Sequence, residues 1–218
     1  MACVGVILSG CGYLDGAEIQ EAVLTLLALD RAGAQVHCFA PNVDQHKVVN
    51  HLTGRETQER RNVLVESARI ARGKITDVAQ AQAADLDAVV LPGGFGAALN
   101  LCDFAVKGPD CTVHPDVARL VKAVHDAGKP IGAICIAPAL IAKVLGEENV
   151  KVTIGTDKET AQAIEAMGAV HEACPVDQMV VDPQRKVVTT PAYMLGPGPK
   201  DVAAGIERCV AEVLAMVG

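Results

Sequence analysis

Three short apolar runs, Val4 to Leu8, Asp87 to Leu91 and Pro130 to Ile134, each stop abruptly at a turn of small residues. The turns are Ser9-Gly10-Cys11-Gly12, Pro92-Gly93-Gly94-Phe95-Gly96 and Cys135-Ile136-Ala137-Pro138. Unbroken apolar runs of this length read as strands buried on both faces, the signature of parallel sheets. Helical spacing alternates with them. Ile19, Ala22, Val23, Leu26, Leu27 and Leu29 mark a helix from Glu18 to Arg31 that Gly33 stops, and His114-Pro115 opens another that runs to about Ala127. This alternation predicts an α/β fold, a three-layer sandwich whose mostly parallel sheet has helices on both faces. Only 2% of the residues are aromatic, so Val, Ile, Leu and Ala must fill the core.

The remaining segments fit this plan. Gln35 to Ala40 and Val150 to Ile154 are predicted strands, Asn62 to Arg72 and Asp157 to Met167 helices, Met179 to Thr190 a β-hairpin, and Lys200 to Val217 a closing helix. Pro41 to Arg60 is polar and without clear period, so it is predicted to be a long excursion. The whole, residues 1–218, reads as one domain.

Composition narrows the partners. A net charge of −7 with scattered Lys and Arg argues against a nucleic-acid or anionic-membrane surface, and no apolar stretch is long enough for a membrane span. The eight Cys lack metal-ligand spacing and several sit in apolar runs, which predicts reduced thiols and no metal site. Met1 to Leu8 has no basic leader pattern and reads as the first strand, so a cytoplasmic location is predicted.

Ligands of open α/β sheets gather beyond the carboxyl ends of the strands, where the three small-residue turns can converge. Cys135 stands there between a strand and a helix whose first turn holds Pro138. A thiol so placed is expected to have its pKa lowered by the helix dipole and free N–H groups, although position alone leaves a core thiol as the competing reading. Gly93, Gly94 and the N–H of Ile136 are candidate oxyanion donors. Glu18 and Glu21 open the first helix on neighbouring faces, and one of them could reach the thiol. Cys11 lies in the first turn, where a structural role competes, and His171 is the best placed of six histidines to assist, where a solvated surface role competes.

The segments Ala133-Ile134-Cys135-Ile136-Ala137-Pro138, Leu91 to Leu101 and Gly16-Ala17-Glu18-Ile19-Gln20-Glu21 resemble the PfpI/ThiJ superfamily, whose fold is that of class I glutamine amidotransferases. Ser9 to Gly12, Asp15-Gly16 and Thr189-Thr190-Pro191-Ala192-Tyr193-Met194 further resemble its ElbB branch. The resemblance implies Cys135 as nucleophile, Glu21 as its acid, and oxyanion contacts at Gly94 and Ile136. It further implies a cofactor-independent glyoxalase of low turnover that converts a small reactive dicarbonyl, glyoxal, to glycolate, and a homodimer. Deglycation of amines is a related alternative, and a redox-responsive or chaperone-like protein a non-enzymatic one. Val152 to Thr156 and Ile136 stand where relatives carry a histidine, which disfavours hydrolase and amidotransferase chemistry and leaves Glu21 as the partner.

Overall fold

The computed structural model describes residues 1–218. The main elements in chain order are β1 (Cys3–Ile7), α1 (Ile19–Arg31), β2 (Gln35–Ala40), β3 (Val48–Asn50), β4 (Arg55–Thr57), α2 (Val63–Ile70), β5 (Ile75–Asp77), β6 (Ala88–Leu91), α3 (Phe95–Leu99) and α4 (Phe104–Lys107). They continue with α5 (Pro115–Asp126), β7 (Ile131–Ile134), α6 (Ala137–Leu145), β8 (Lys151–Val152), α7 (Lys158–Ala166), β9 (Val170–His171), β10 (Val180–Asp182), β11 (Val187–Thr190) and α8 (Pro199–Ala215). Seven strands form one sheet in the order β10-β11-β7-β6-β1-β2-β5. Every pairing is parallel except β10 with β11, the expected hairpin.

The strands sort their side chains with period two. Val4, Val6, Ala88, Val90 and Val188 face one core with Ala22 and Leu29 of α1 and with Val202, Ile206, Val210 and Val213 of α8. Ile7, Val89, Leu91, Ile131, Ala133 and Val187 face the other, with Val117, Leu120, Val121 and Val124 of α5 and Leu140 and Ile141 of α6. Each fully buried Val, Leu or Ile contributes about 1.5–3 kcal/mol of transfer free energy, so these two aliphatic layers hold the sandwich together. The predicted α/β architecture, mostly parallel with helices on both faces, is the one observed.

Three local expectations are corrected. The 41–60 excursion contains an antiparallel hairpin, β3 with β4, whose polar sequence hides its register. The edge strand β5 is unmarked in the sequence because its three residues, Ile-Thr-Asp, carry almost no apolar signal. Val150 to Ile154 does not join the main sheet: only Lys151 and Val152 are strand, paired with β9 in a separate two-stranded sheet. Side chains take up the neighbouring backbone donors there, Asp182 Oδ2 accepting from the Lys151 N–H (2.9 Å) and Thr189 Oγ1 from the Thr153 N–H (2.8 Å).

Candidate active site

Cys135 follows β7 immediately and has φ 63°, a left-handed conformation that non-glycine residues adopt at a cost of about 1–2 kcal/mol. Its N–H donates to the Thr190 carbonyl on β11 (2.9 Å), which pins the turn to the sheet. The thiol is 7% exposed and opens on a pocket of about 450 Å³ lined also by Tyr13, Glu18, Gly94, Phe95, Phe104, Ile136, Tyr193 and Met194.

Glu21, on the first turn of α1, is wholly buried beside Cys135. Its Oε2 accepts the Gly93 N–H (2.9 Å), its Oε1 accepts the Tyr193 N–H (3.1 Å), and its carboxyl lies in hydrogen-bonding reach of the thiol. Burial raises this carboxyl from its ordinary value of 4.5 to about 7, against the pull of the two backbone donors. Ala192, at φ 41°, turns the chain so that the Tyr193 N–H meets the carboxyl.

The thiol departs from expectation. Burial first, then the charge of Glu21, push Cys135 well above the ordinary thiol value, while the N–H groups of Gly94 and Ile136 pull it down. Helix α6 starts only at Ala137, so its dipole does not overcome a nearly closed site shared with a carboxylate. Thiol and carboxyl each shift the other's proton affinity, so the two titrate as a linked pair.

The other expected residues divide. Gly94 and Ile136, the expected oxyanion donors, have their N–H groups turned towards the sulfur. Gly93 does not stand free as an oxyanion donor, because its single N–H is engaged by Glu21. Glu18 caps α1, its carboxylate accepting the Glu21 N–H (2.6 Å) at the pocket wall. Cys11 is not among the lining residues; burial raises its pKa, with the nearby Glu66 adding to the rise. His171 lies away from the pocket on β9, where its Nε2 accepts the Ile154 N–H (3.3 Å), and no histidine lines the pocket.

Residues 11–194 match the model of the DJ-1/PfpI family. The chain belongs to that family. Human glutamine amidotransferase-like class 1 domain-containing protein 3, mitochondrial, is 50% identical over 227 residues, covering all of this chain and 84% of its own. The zebrafish ES1 protein, mitochondrial, is 36% identical over 208 residues, 88% of this chain and 76% of its own. An isoprenoid biosynthesis protein with amidotransferase-like domain from Ehrlichia chaffeensis superimposes with a TM-score of 0.91 at 39% identity, over 98% of this chain and 99% of that one. Glyoxalase III from Candida albicans shares the fold, with a TM-score of 0.63 at 14% identity over 100% of this chain and 98% of that one. Two of these relatives are named mitochondrial, which does not support the cytoplasmic placement expected from the sequence. No helix is long and apolar enough to cross a membrane.

Within this DJ-1/PfpI site the backbone turns touch directly. The Glu18 N–H donates to the Gly93 carbonyl (3.0 Å), the Phe95 N–H to Tyr13 (2.8 Å) and the Gly96 N–H to Gly16 (2.9 Å). Asn100 ties the first turn down, its Nδ2 donating to the carbonyls of Ser9 (2.8 Å) and Asp15 (2.9 Å). A Cβ on Gly96 would lie 2.5 Å from the Gly16 Cα and from the Ser9 carbonyl oxygen. Gly96→Ala is therefore expected to cost about 2–3 kcal/mol, lowering the melting temperature by roughly 5–10 °C in calorimetry. A melting temperature unchanged to within a degree would show that these turns can part freely.

Sequence reasoning singled out none of the aromatic lining residues as site residues. The available signal was their rarity: Tyr13 and Phe95 sit beside glycine turns in a chain with only three Phe and two Tyr.

Proposed function

We propose that the chain is a cofactor-independent glyoxalase in which Cys135 is the nucleophile and Glu21 the acid and base. The observation that carries this reading is the buried carboxyl, raised to about 7, set against the thiol in a pocket without histidine. A carboxyl group with a pKa near the working pH can both accept and return protons.

Glu21 takes the proton of the Cys135 thiol, and the thiolate adds to one aldehyde carbon of glyoxal. The carbonyl electron pair moves to oxygen, beside the Gly94 and Ile136 N–H groups, and Glu21 protonates it to a hemithioacetal. The Glu21 carboxylate then removes the remaining hydrogen of that carbon as a proton. Its electron pair forms a carbon–carbon double bond, and the second carbonyl oxygen is protonated, giving an enediol. The second carbon then gains a proton as the hydroxyl on the sulfur-bearing carbon loses one, giving the Cys135 thioester of glycolic acid, and water cleaves it with release of the Cys135 thiol. Glyoxal and water give glycolate and a proton: one carbon is oxidised as its neighbour is reduced, so the sequence draws on no external oxidant. The sharing of this fold with a protein named glyoxalase III gives the reading a structural precedent.

Turnover of glyoxal in deuterium oxide tests it. The enediol route predicts glycolate with one solvent deuterium on carbon 2, read by mass spectrometry or proton NMR. Absence of glycolate removes the proposed function, and glycolate without carbon-bound deuterium shows that the proton delivered to carbon 2 does not exchange with solvent.

A further inference from the structure

The chain has five aromatic side chains, three Phe and two Tyr, and no Trp. Four of them, Tyr13, Phe95, Phe104 and Tyr193, line the Cys135 pocket. The remaining one, Phe39, is buried in the core that also takes up most of Phe104. Tyr13 and Phe95 are 50% and 49% exposed, so about half of each of these pocket-lining residues is uncovered. Aromatic faces held this way gain from being covered by a planar apolar partner.

The rest of the lining sharpens the chemistry. Ala98, Ala105 and Met194 extend the apolar wall, and beside the Cys135 thiol and the two tyrosine hydroxyls the polar side chains are Glu18 and Thr160, with no Lys, Arg or His. A substrate carrying a carboxylate or phosphate would meet the Glu18 carboxyl and the buried Glu21 with no cation to pair it. Glyoxal itself has no group to cover the aromatic wall, and fills a small part of about 450 Å³.

We propose that the pocket selects an uncharged aryl-substituted α-oxoaldehyde, with its aldehyde carbon at Cys135 and its ring against Tyr13 and Phe95. This deepens the glyoxalase reading and rests on it. The balance is the same as for glyoxal: an arylglyoxal and water give the aryl-substituted 2-hydroxy acid and a proton, through the thioester on Cys135.

Steady-state rates for phenylglyoxal and glyoxal on the purified chain, read as mandelate and glycolate, test the specificity. With each concentration corrected to the unhydrated aldehyde, kcat/KM is expected to favour phenylglyoxal by about tenfold or more. The double variant Tyr13→Ala/Phe95→Ala should shrink that ratio about tenfold, mainly through KM, and Tyr13→Phe should retain it. A ratio at or below one, or one that the double variant leaves unmoved, overturns the proposal. A second measurement separates it from the catalytic reading: acetophenone, which lacks the aldehyde, is titrated into Cys135→Ala protein while backbone amide NMR shifts are followed. Saturable shifts at Gly94 and Phe95 that vanish when Tyr13→Ala and Phe95→Ala are added support the aryl pocket, even in a chain that turns over no oxoaldehyde. Absence of saturable shifts overturns the aryl pocket whatever the chain does with glyoxal.

Discussion

Cys135→Ser is expected to lower glycolate formation by about a thousandfold or more while leaving the fold intact. Serine is close in size, can adopt the same turn, and keeps the Cys135 N–H bond to Thr190. What it loses is acidity. Its hydroxyl ionises far above the range a carboxyl near 7 can reach, and no histidine lines the pocket to replace Glu21 as base. Circular dichroism and thermal melts close to wild type, together with the collapsed rate, are the expected pair of results. Undiminished activity in the serine variant would remove Cys135 from the chemistry, and with it the proposed function.

Glu21→Gln is the second large effect, a loss of about a hundredfold to ten-thousandfold in kcat/KM. The amide keeps the shape and removes the proton exchange. It also supplies a single acceptor where the carboxyl supplies two, so its NH₂ must confront the N–H of either Gly93 or Tyr193. The pH dependence separates these consequences. In the wild type, kcat/KM should rise with an apparent pKa near 7 as the pair loses its proton, and that limb should be missing in the variant.

Stability carries an independent readout of the same group. A carboxyl raised in the folded state from 4.5 to about 7 binds more protons folded than unfolded across that interval. Its contribution is fully present below about 4.5 and is lost as pH rises through about 7, up to about 3 kcal/mol. Denaturant unfolding across this range should therefore show the wild type losing stability relative to Glu21→Gln as the pH increases. Parallel curves would mean that Glu21 titrates normally.

The sequence made the scaffold legible where burial was two-sided and the run long. Val4 to Leu8 and Pro130 to Ile134 could be strands of little else, and Gly33 and Gly128 marked helix ends. The short polar pieces were illegible because their partners lie far off in sequence: β5 takes its register from β2, and Asp182 and Thr189 interrupt the strand begun at Lys151. At the site, the convergence of Cys135, Glu21, Gly94 and Ile136 could be anticipated from turns and the likeness to a family. The state of the thiol could not, since its direction depends on desolvation by three-dimensional neighbours, which outweighs the helix terminus visible in the chain. The misjudgement of Gly93 has the same origin: a free N–H in a glycine turn attracts whatever acceptor is nearest, and here that is Glu21 from 72 residues away.

The hairpin formed by β3 and β4 belongs to no part of the main sheet, yet it braces the loop that carries Tyr13. Asp15 Oδ2 accepts the Val49 N–H (2.7 Å), His51 Nε2 accepts the Leu14 N–H (3.3 Å), and the His51 ring meets Tyr13 edge-on at 5.5 Å. Chemistry and rim are thus built from separable stretches of chain, the one rooted in the sheet and the other resting upon it. A lineage or an engineer could exchange the hairpin for one of different length and redraw the entrance, while the sulfur and its carboxyl stay where the sheet holds them.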